Sequence, residues 1–170
     1  MKSSKSTLKR SIQLIVLVLL ITACGKDEET QASIEVNLDV SQLLSTVNGH
    51  RQNGAVCGSS QMSAVNDLIW SDELAKAALD HSNDMQQNDY FSHTGLNGSQ
   101  FSERVLDAGF EGAPVGENIA SGYQTLDAVL QGWMESSGHC TNIMNGNATH
   151  IGVARSNEGA LWTMILGRIN

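Results

Sequence analysis

Basic side chains are scarce in this sequence. Ten Lys and Arg stand against eighteen Asp and Glu in 170 residues, for a net charge of −8. Lys2, Lys5, Lys9 and Arg10 all fall in the first 23 residues, which hold no acid, so beyond them six basic groups face eighteen acidic ones, a net −12. A surface of that sign repels phosphate backbones and anionic headgroups, which excludes nucleic acid as a partner, and it tolerates cations. Long apolar runs are missing too. The longest, Ile12 to Ile21, is about ten residues, whereas a membrane helix needs roughly 20. There is one proline, Pro114, and no internal repeat or low-complexity tract. Two catalytic signatures are absent. Without Gly-x-Ser-x-Gly there is no nucleophile elbow of a serine hydrolase, and without His-Glu-x-x-His no zincin helix. The length suits one domain plus a tail.

What is present begins with a leader. The four early basic residues followed by the apolar run read as a signal peptide over residues 1–23. It ends in Leu20-Ile21-Thr22-Ala23-Cys24, which resembles a bacterial lipobox, with Cys24 acylated and left as the first mature residue. Acyl chains insert at about 0.8 kcal/mol per buried methylene, so a membrane partner through lipid on Cys24 is expected. Lys26-Asp27-Glu28-Glu29 resembles a signal that sends some Gram-negative lipoproteins to the cell surface, and it reads equally well as a solvated charge run. Residues 24–39 are polar enough for a flexible tether, leaving 40–170 as the folded domain. The expected location is the bacterial cell envelope, outside the cytoplasm and lipid-anchored, at the outer membrane or cell surface. With Cys24 lipidated, Cys57 and Cys140 remain, and export makes a disulfide between them the default, two free buried thiols being the alternative.

Val40, Leu43, Leu44 and Val47 predict a first helix to Asn53, followed by a Gly/Ser loop to Ser63. Ser71 caps a helix that runs to about Gln87, with Leu74, Ala78, His81 and Met85 on one face and His81 read as a core histidine. Residues 88–99 are loop. A short helix over 100–108 ends at Gly109, and Gly116 to Gly122 is a brief strand. Thr125 caps a helix through Trp133, and the terminal strands span 151–155 and 161–168 with a turn between them. This order, with no strand–helix alternation, predicts an α+β sandwich.

The stretch Gly132-Trp133-Met134-Glu135-Ser136-Ser137-Gly138-His139-Cys140 concentrates chemistry. As the end of a helix it puts Glu135 about 200° round from Trp133, hence away from the core. Gly138 is expected to stop that helix, with His139 and Cys140 on the turn beyond. A Cys140 thiolate nucleophile is disfavoured, because an adjacent His and Cys rarely face each other and a disulfide removes the thiolate. Four residues stand out: His93, Glu117, Glu135 and His139. His50 and His150 read as ordinary surface or edge residues.

With their flanks, these four resemble the CAP superfamily, which groups cysteine-rich secretory, antigen-5 and plant pathogenesis-related proteins, and most closely its bacterial branch. The matching pieces run from about Val40 to Ile169. They include Asn48-Gly49-His50-Arg51, Phe91-Ser92-His93, Arg104 with Gly109, Gly116-Glu117-Asn118-Ile119-Ala120, Gly138-His139 and Asn142-Ile143-Met144. The resemblance implies a three-layer α-β-α sandwich with a small antiparallel sheet and one cleft, where His93 and His139 can hold a divalent metal, often zinc, with Glu117 and Glu135 facing the same space. Neutral imidazoles suit zinc, and two ligands leave positions open. Two functions follow. One is a tethered binding or scaffold domain that displays the cleft to an extracellular ligand or protein partner. The other is a metal-assisted extracellular hydrolase acting on peptide or cell-envelope bonds, with Glu117 or Glu135 as base.

Overall fold

The computed structural model describes residues 34–170. The signal peptide, Cys24, the charge run and most of the tether lie outside the described residues. None of the described helices is long and apolar enough to cross a membrane.

Asp39 starts the first helix, α1 (Val40–Asn53), its carboxylate accepting from the Gln42 amide. Leu43, Val47 and Arg51, four residues apart, form the buried stripe of α1. The next stretch is a hairpin, not the loop expected from its glycines and serines. β1 (Ala55–Cys57) pairs antiparallel with β2 (Ser60–Met62). A two-residue strand, β3 (Ile69–Trp70), follows. Ser71 then caps α2 (Asp72–Gln87) through the Leu74 amide, and α3 (Phe101–Asp107) opens with a Gln100–Glu103 capping box. β4 (Ala113–Ser121) is longer than expected and crosses Pro114 with a register shift between Pro114 and Gly116. A proline fits there because β4 is an edge strand.

Thr125 caps α4 (Leu126–Glu135). At this point the structure departs from the sequence reading. Ser136, with φ −90° and ψ 120°, closes α4 and opens a second helix, α5 (Ser137–Ile143). Gly138 therefore does not end a helix, and His139 and Cys140 lie within one. β5 (His150–Arg155) and β6 (Leu161–Arg168) complete the chain.

The main sheet has the order β3-β5-β6-β4. All its pairs are antiparallel except β3 with β5, so the sheet is mixed rather than purely antiparallel. Strand alternation sorts side chains to its two faces. Ile151, Val153, Trp162, Met164 and Leu166 meet Leu43 and Val47 of α1, Trp133 of α4 and Ile143 of α5. Ala154 and Ile165 meet Leu74 and Ala78 of α2 with Val105 of α3. The result is the expected α-β-α sandwich. α2 lies so close to β5 that a Cβ on Gly152 would overlap the backbone of Leu74 and Ala75. Ser82 fastens α2 to the next strand, β6, by donating to Thr163 Oγ1 at 2.8 Å. A disulfide joins Cys57 of the hairpin to Cys140 of α5, with Cα atoms 5.4 Å apart, inside the 4.4–6.8 Å that such bonds span.

Candidate functional site

His93 sits in the loop between α2 and α3, which is fixed from below. Tyr90 donates its hydroxyl to the Asp84 carboxylate of α2. His81, only 1% exposed and a core histidine as its position on the apolar face predicts, meets the Ser92 carbonyl through Nε2 at 2.9 Å. Burial, then the nearby Arg104 charge, hold the His81 pKa below its ordinary value, so the ring is neutral and its Nε2–H is the donor in that bond.

Burial pushes the Tyr90 phenol up to about 12, with the Asp84 hydrogen bond as the second cause. A phenol whose pKa rises on folding adds stability that is whole below its unfolded pKa, near 10, and is lost as pH rises through the folded one. Spectrophotometric titration is therefore expected to show a phenolate component at about pH 12 that is absent in Tyr90→Phe and shifted down in Asp84→Asn. A Tyr90 component at about pH 10, the ordinary phenol value, would remove this anchor of the loop.

Glu117 projects from β4 and is almost fully enclosed, its side chain 2% exposed. Both of its oxygens are engaged. Oε1 lies 2.8 Å from His93 Nδ1, and Oε2 accepts from Arg104 at 2.7 Å. A carboxylate only accepts, so the shared proton is on Nδ1, and in the neutral ring Nε2 of His93 is the nitrogen free to accept or ligate. The His93 side chain is 55% exposed. Arg104 also donates to the carbonyls of Ser99 and His93, at 2.9 and 3.0 Å, and so ties the loop, α3 and β4 together.

His139 comes to the same region from α5. Its half-buried ring has a lowered pKa, first from burial and then from the proximity of His93. Two asparagines fasten α5 to β4. Asn118 donates to the His139 carbonyl at 3.1 Å, and Asn142 donates to the Glu117 carbonyl and to Asn118 Oδ1 at 3.2 and 2.8 Å.

Glu117 thus contacts His93 directly, and asparagines tie its strand to α5 beside His139, while Glu135 has a partner of its own. Its carboxylate accepts from Gln131 one turn back and lines a groove with Thr46, His50, Val56 and Met134. Its direction follows from the helix geometry that opposes it to Trp133. Among the described residues, no three His, Cys, Asp or Glu side chains gather closely enough to form a metal-binding group. The donor set is two imidazoles with a carboxylate held behind one of them. His50 is exposed and His150 half-buried at the start of β5, neither near the cleft residues through any hydrogen bond.

Arg104, Asn118 and Asn142 belong to the matching motifs, but nothing local in the sequence reveals their work. Arg51 is a further case. Fully buried in α1, it donates to the carbonyls of Asn66, Ile143, Asn145 and Ala148 at 2.5–3.2 Å, clasping the C-terminal end of α5. Its pKa is lowered by burial and partly restored by Asp67. The signal available was a charged residue four positions beyond Val47 on the apolar stripe of α1.

Known proteins place this arrangement. An uncharacterised Bacillus subtilis protein, YkwD, is 33% identical over 143 residues, 84% of this chain and 52% of that protein. An uncharacterised membrane protein of the same organism, YlbC, is 36% identical over 86 residues, 51% of this chain and 25% of that one. The chain thus spans about half, or less, of these relatives. Among solved structures, an extracellular SCP-domain protein of Bacillus anthracis superposes with a TM-score of 0.66 at 29% identity, covering 76% of this chain and 40% of that one. An outer surface protein of Borrelia burgdorferi shares the fold, with a TM-score of 0.65 at 21% identity over 82% of this chain and 98% of its own. The profile of the cysteine-rich secretory protein family matches residues 44–166, and the chain belongs to that CAP family, in its bacterial branch.

Proposed function

We propose that this protein is a lipid-tethered, extracytoplasmic binding module whose cleft offers His93 and His139 to a divalent cation, zinc being the ion that suits neutral imidazoles, and so to a ligand or protein partner outside the cell. The observation that carries the reading is the double engagement of Glu117. A carboxylate behind a histidine orients the ring and directs its other nitrogen to a metal. The donor set fits a weakly held ion: His93 and His139 would bind it, and the ion would supply an open, Lewis-acidic position for a ligand oxygen. The hydrolase alternative is less well supported. Glu117 is ion-paired to Arg104 and hydrogen-bonded to His93, which makes its carboxylate a weaker base, and Glu135 is engaged by Gln131.

The test is metal analysis of protein purified without chelator, beside the His93→Ala/His139→Ala variant. One zinc per chain, absent from the variant, is expected, with no zinc-dependent cleavage of peptides or peptidoglycan. Equal metal in both proteins overturns the ion site, and zinc-dependent turnover overturns the binding reading in favour of the hydrolase.

The location rests on the leader sequence and on relatives named as extracellular, outer-surface and membrane proteins. Cys24→Ser is expected to yield either a soluble folded protein or an uncleaved precursor. A wild-type mature terminus without lipid, read by intact mass, would remove the anchor.

A further inference from the structure

One terminal nitrogen of Arg104, Nη2, makes two hydrogen bonds, and both lead to His93. It donates to the His93 carbonyl at 3.0 Å and to Glu117 Oε2 at 2.7 Å, and the other Glu117 oxygen lies 2.8 Å from Nδ1 of the His93 ring. The backbone of His93 is thus gripped directly and its imidazole through the carboxylate, which closes a circuit of three hydrogen bonds on a single residue. Nη1 extends the grip to the Ser99 carbonyl at 2.9 Å, further along the same loop. The Arg104 side chain is 11% exposed and that of Glu117 is enclosed, so water competes little for these bonds. His139 has no such brace. Its carbonyl accepts from Asn118, but among the described residues no group bonds its ring.

Charge does not account for an arginine at this place. The guanidinium and Glu117 cancel, so the pair adds no attraction for a cation, and by Coulomb's law a positive group beside a cation site is a cost. What arginine supplies is shape, a planar fork that reaches three acceptors from two nitrogens.

We propose that Arg104 is a positioning residue of the cation site: by holding the His93 backbone and, through Glu117, the His93 ring, it fixes the direction of Nε2 before any ion arrives. The proposal rests on the reading of the cleft as a cation site, yet its first test needs no metal.

That test is ¹⁵N NMR of the labelled imidazoles in metal-free protein at about pH 8, where an ordinary imidazole is neutral. Wild-type His93 is expected to carry its proton on Nδ1 alone, and Arg104→Gln to show a mixture of the two tautomers. Ser82→Ala removes a buried hydrogen bond between α2 and β6, so it should lower the melting temperature and leave the His93 signature unmoved. Zinc affinity, read by competition with a chromophoric chelator, is the second measurement. Coulomb's law alone makes Arg104→Gln bind zinc more tightly, because a positive charge is gone. Positioning has the opposite sign, a weakening of about 10–100-fold, the usual cost of losing an outer hydrogen-bond partner. Arg104→Lys keeps the charge but not the fork, and it should weaken zinc as well. Wild-type His93 protonated on Nε2 overturns the proposal without any variant having to fold. Zinc held by Arg104→Gln as tightly as by wild type, or more so, overturns it too, and full affinity in Arg104→Lys replaces the fork by charge. Wild type that binds no zinc overturns the cation site itself, and the ring signature then still decides whether Arg104 sets His93.

Discussion

Arg51→Met is expected to cost about 3–5 kcal/mol of folding stability, more than any surface change in this domain. Methionine replaces the aliphatic stem but stops short of the guanidinium, so the loss combines unpaired acceptors with a small void. Four carbonyls, of Asn66, Ile143, Asn145 and Ala148, now point at the guanidinium. Removing the donor leaves them facing apolar atoms, at roughly 1–3 kcal/mol for each one not re-paired. A buried ion pair can often be exchanged whole for apolar groups at no cost, but here only one partner goes and the other is backbone. Arg51→Lys should recover little, because a single ammonium cannot span acceptors that a planar fork reaches from several edges. Urea denaturation of both variants checks this. A Met variant within about 0.5 kcal/mol of wild type would mean that the end of α5 relaxes to satisfy itself.

The Cys57→Ala/Cys140→Ala variant, or the reduced wild type, is expected to lose up to about 4.5 kcal/mol, the chain-entropy value for closing a loop across 83 positions. For a domain of this size that is a fall in melting temperature of roughly 15–20 °C. The native protein should gain two hydrogens in mass on reduction and show no titratable thiol before it. Both cysteines are buried with Met144 in a small apolar cluster apart from the main core, edged by Met62, Val65 and Met134. Little besides the bond holds the β1–β2 hairpin against α5. Reduction should therefore free the hairpin first, seen as faster amide exchange at 55–62 than in β5 or β6. Exchange rates unchanged in the hairpin would show that its apolar contacts suffice.

The parts of the fold legible in the sequence are those specified locally. α1, α2 and α4 each carry an apolar stripe and a capping side chain, Asp39, Ser71 and Thr125, and their ends are readable to within a residue or two. β5 and β6 are readable because each is a run of buried positions flanking a turn. What escapes is short or ambiguous. β3 has two residues and exists only because β5 lies beside it. The β1–β2 hairpin has three residues per strand, too few for alternation to register. At Ser136-Ser137-Gly138 the same residues that commonly end a helix also begin one, and tertiary contacts chose the second. Cys140 bonded to Cys57 and Ile143 clasped by Arg51 both require α5 to continue.

The site divides in the same way. His93, Glu117 and His139 can be named from motif order, and the structure shows the contact between His93 and Glu117. Glu135 can be named by the same resemblance, and its carboxylate is bonded to Gln131 one turn back on α4. Its orientation away from Trp133 is calculable, but that alone does not say which side of α4 borders the cleft. The residues that hold the cleft in shape, Arg104 and Asn142, act on partners 13 and 25 positions away, and no local pattern encodes such pairings.

The strand order has a consequence in time. β6 lies between β5 and β4, so the middle of the sheet is made by the element that follows every other in sequence. A chain emerging N-terminus first can form α1 and α2, but these have no completed surface to pack on until Leu161–Arg168 has appeared. Pairings as distant as Ile69 with His150 must also wait. Closing such long loops is slow relative to helix formation, because their entropy is spent before any contact repays it. For a polypeptide threaded through a membrane pore before it folds, that delay is an asset. If this chain is exported as its leader sequence implies, the translocating segment would stay extended and collapse would be deferred to the oxidising side, where Cys57 and Cys140 would be joined as the last strand arrives.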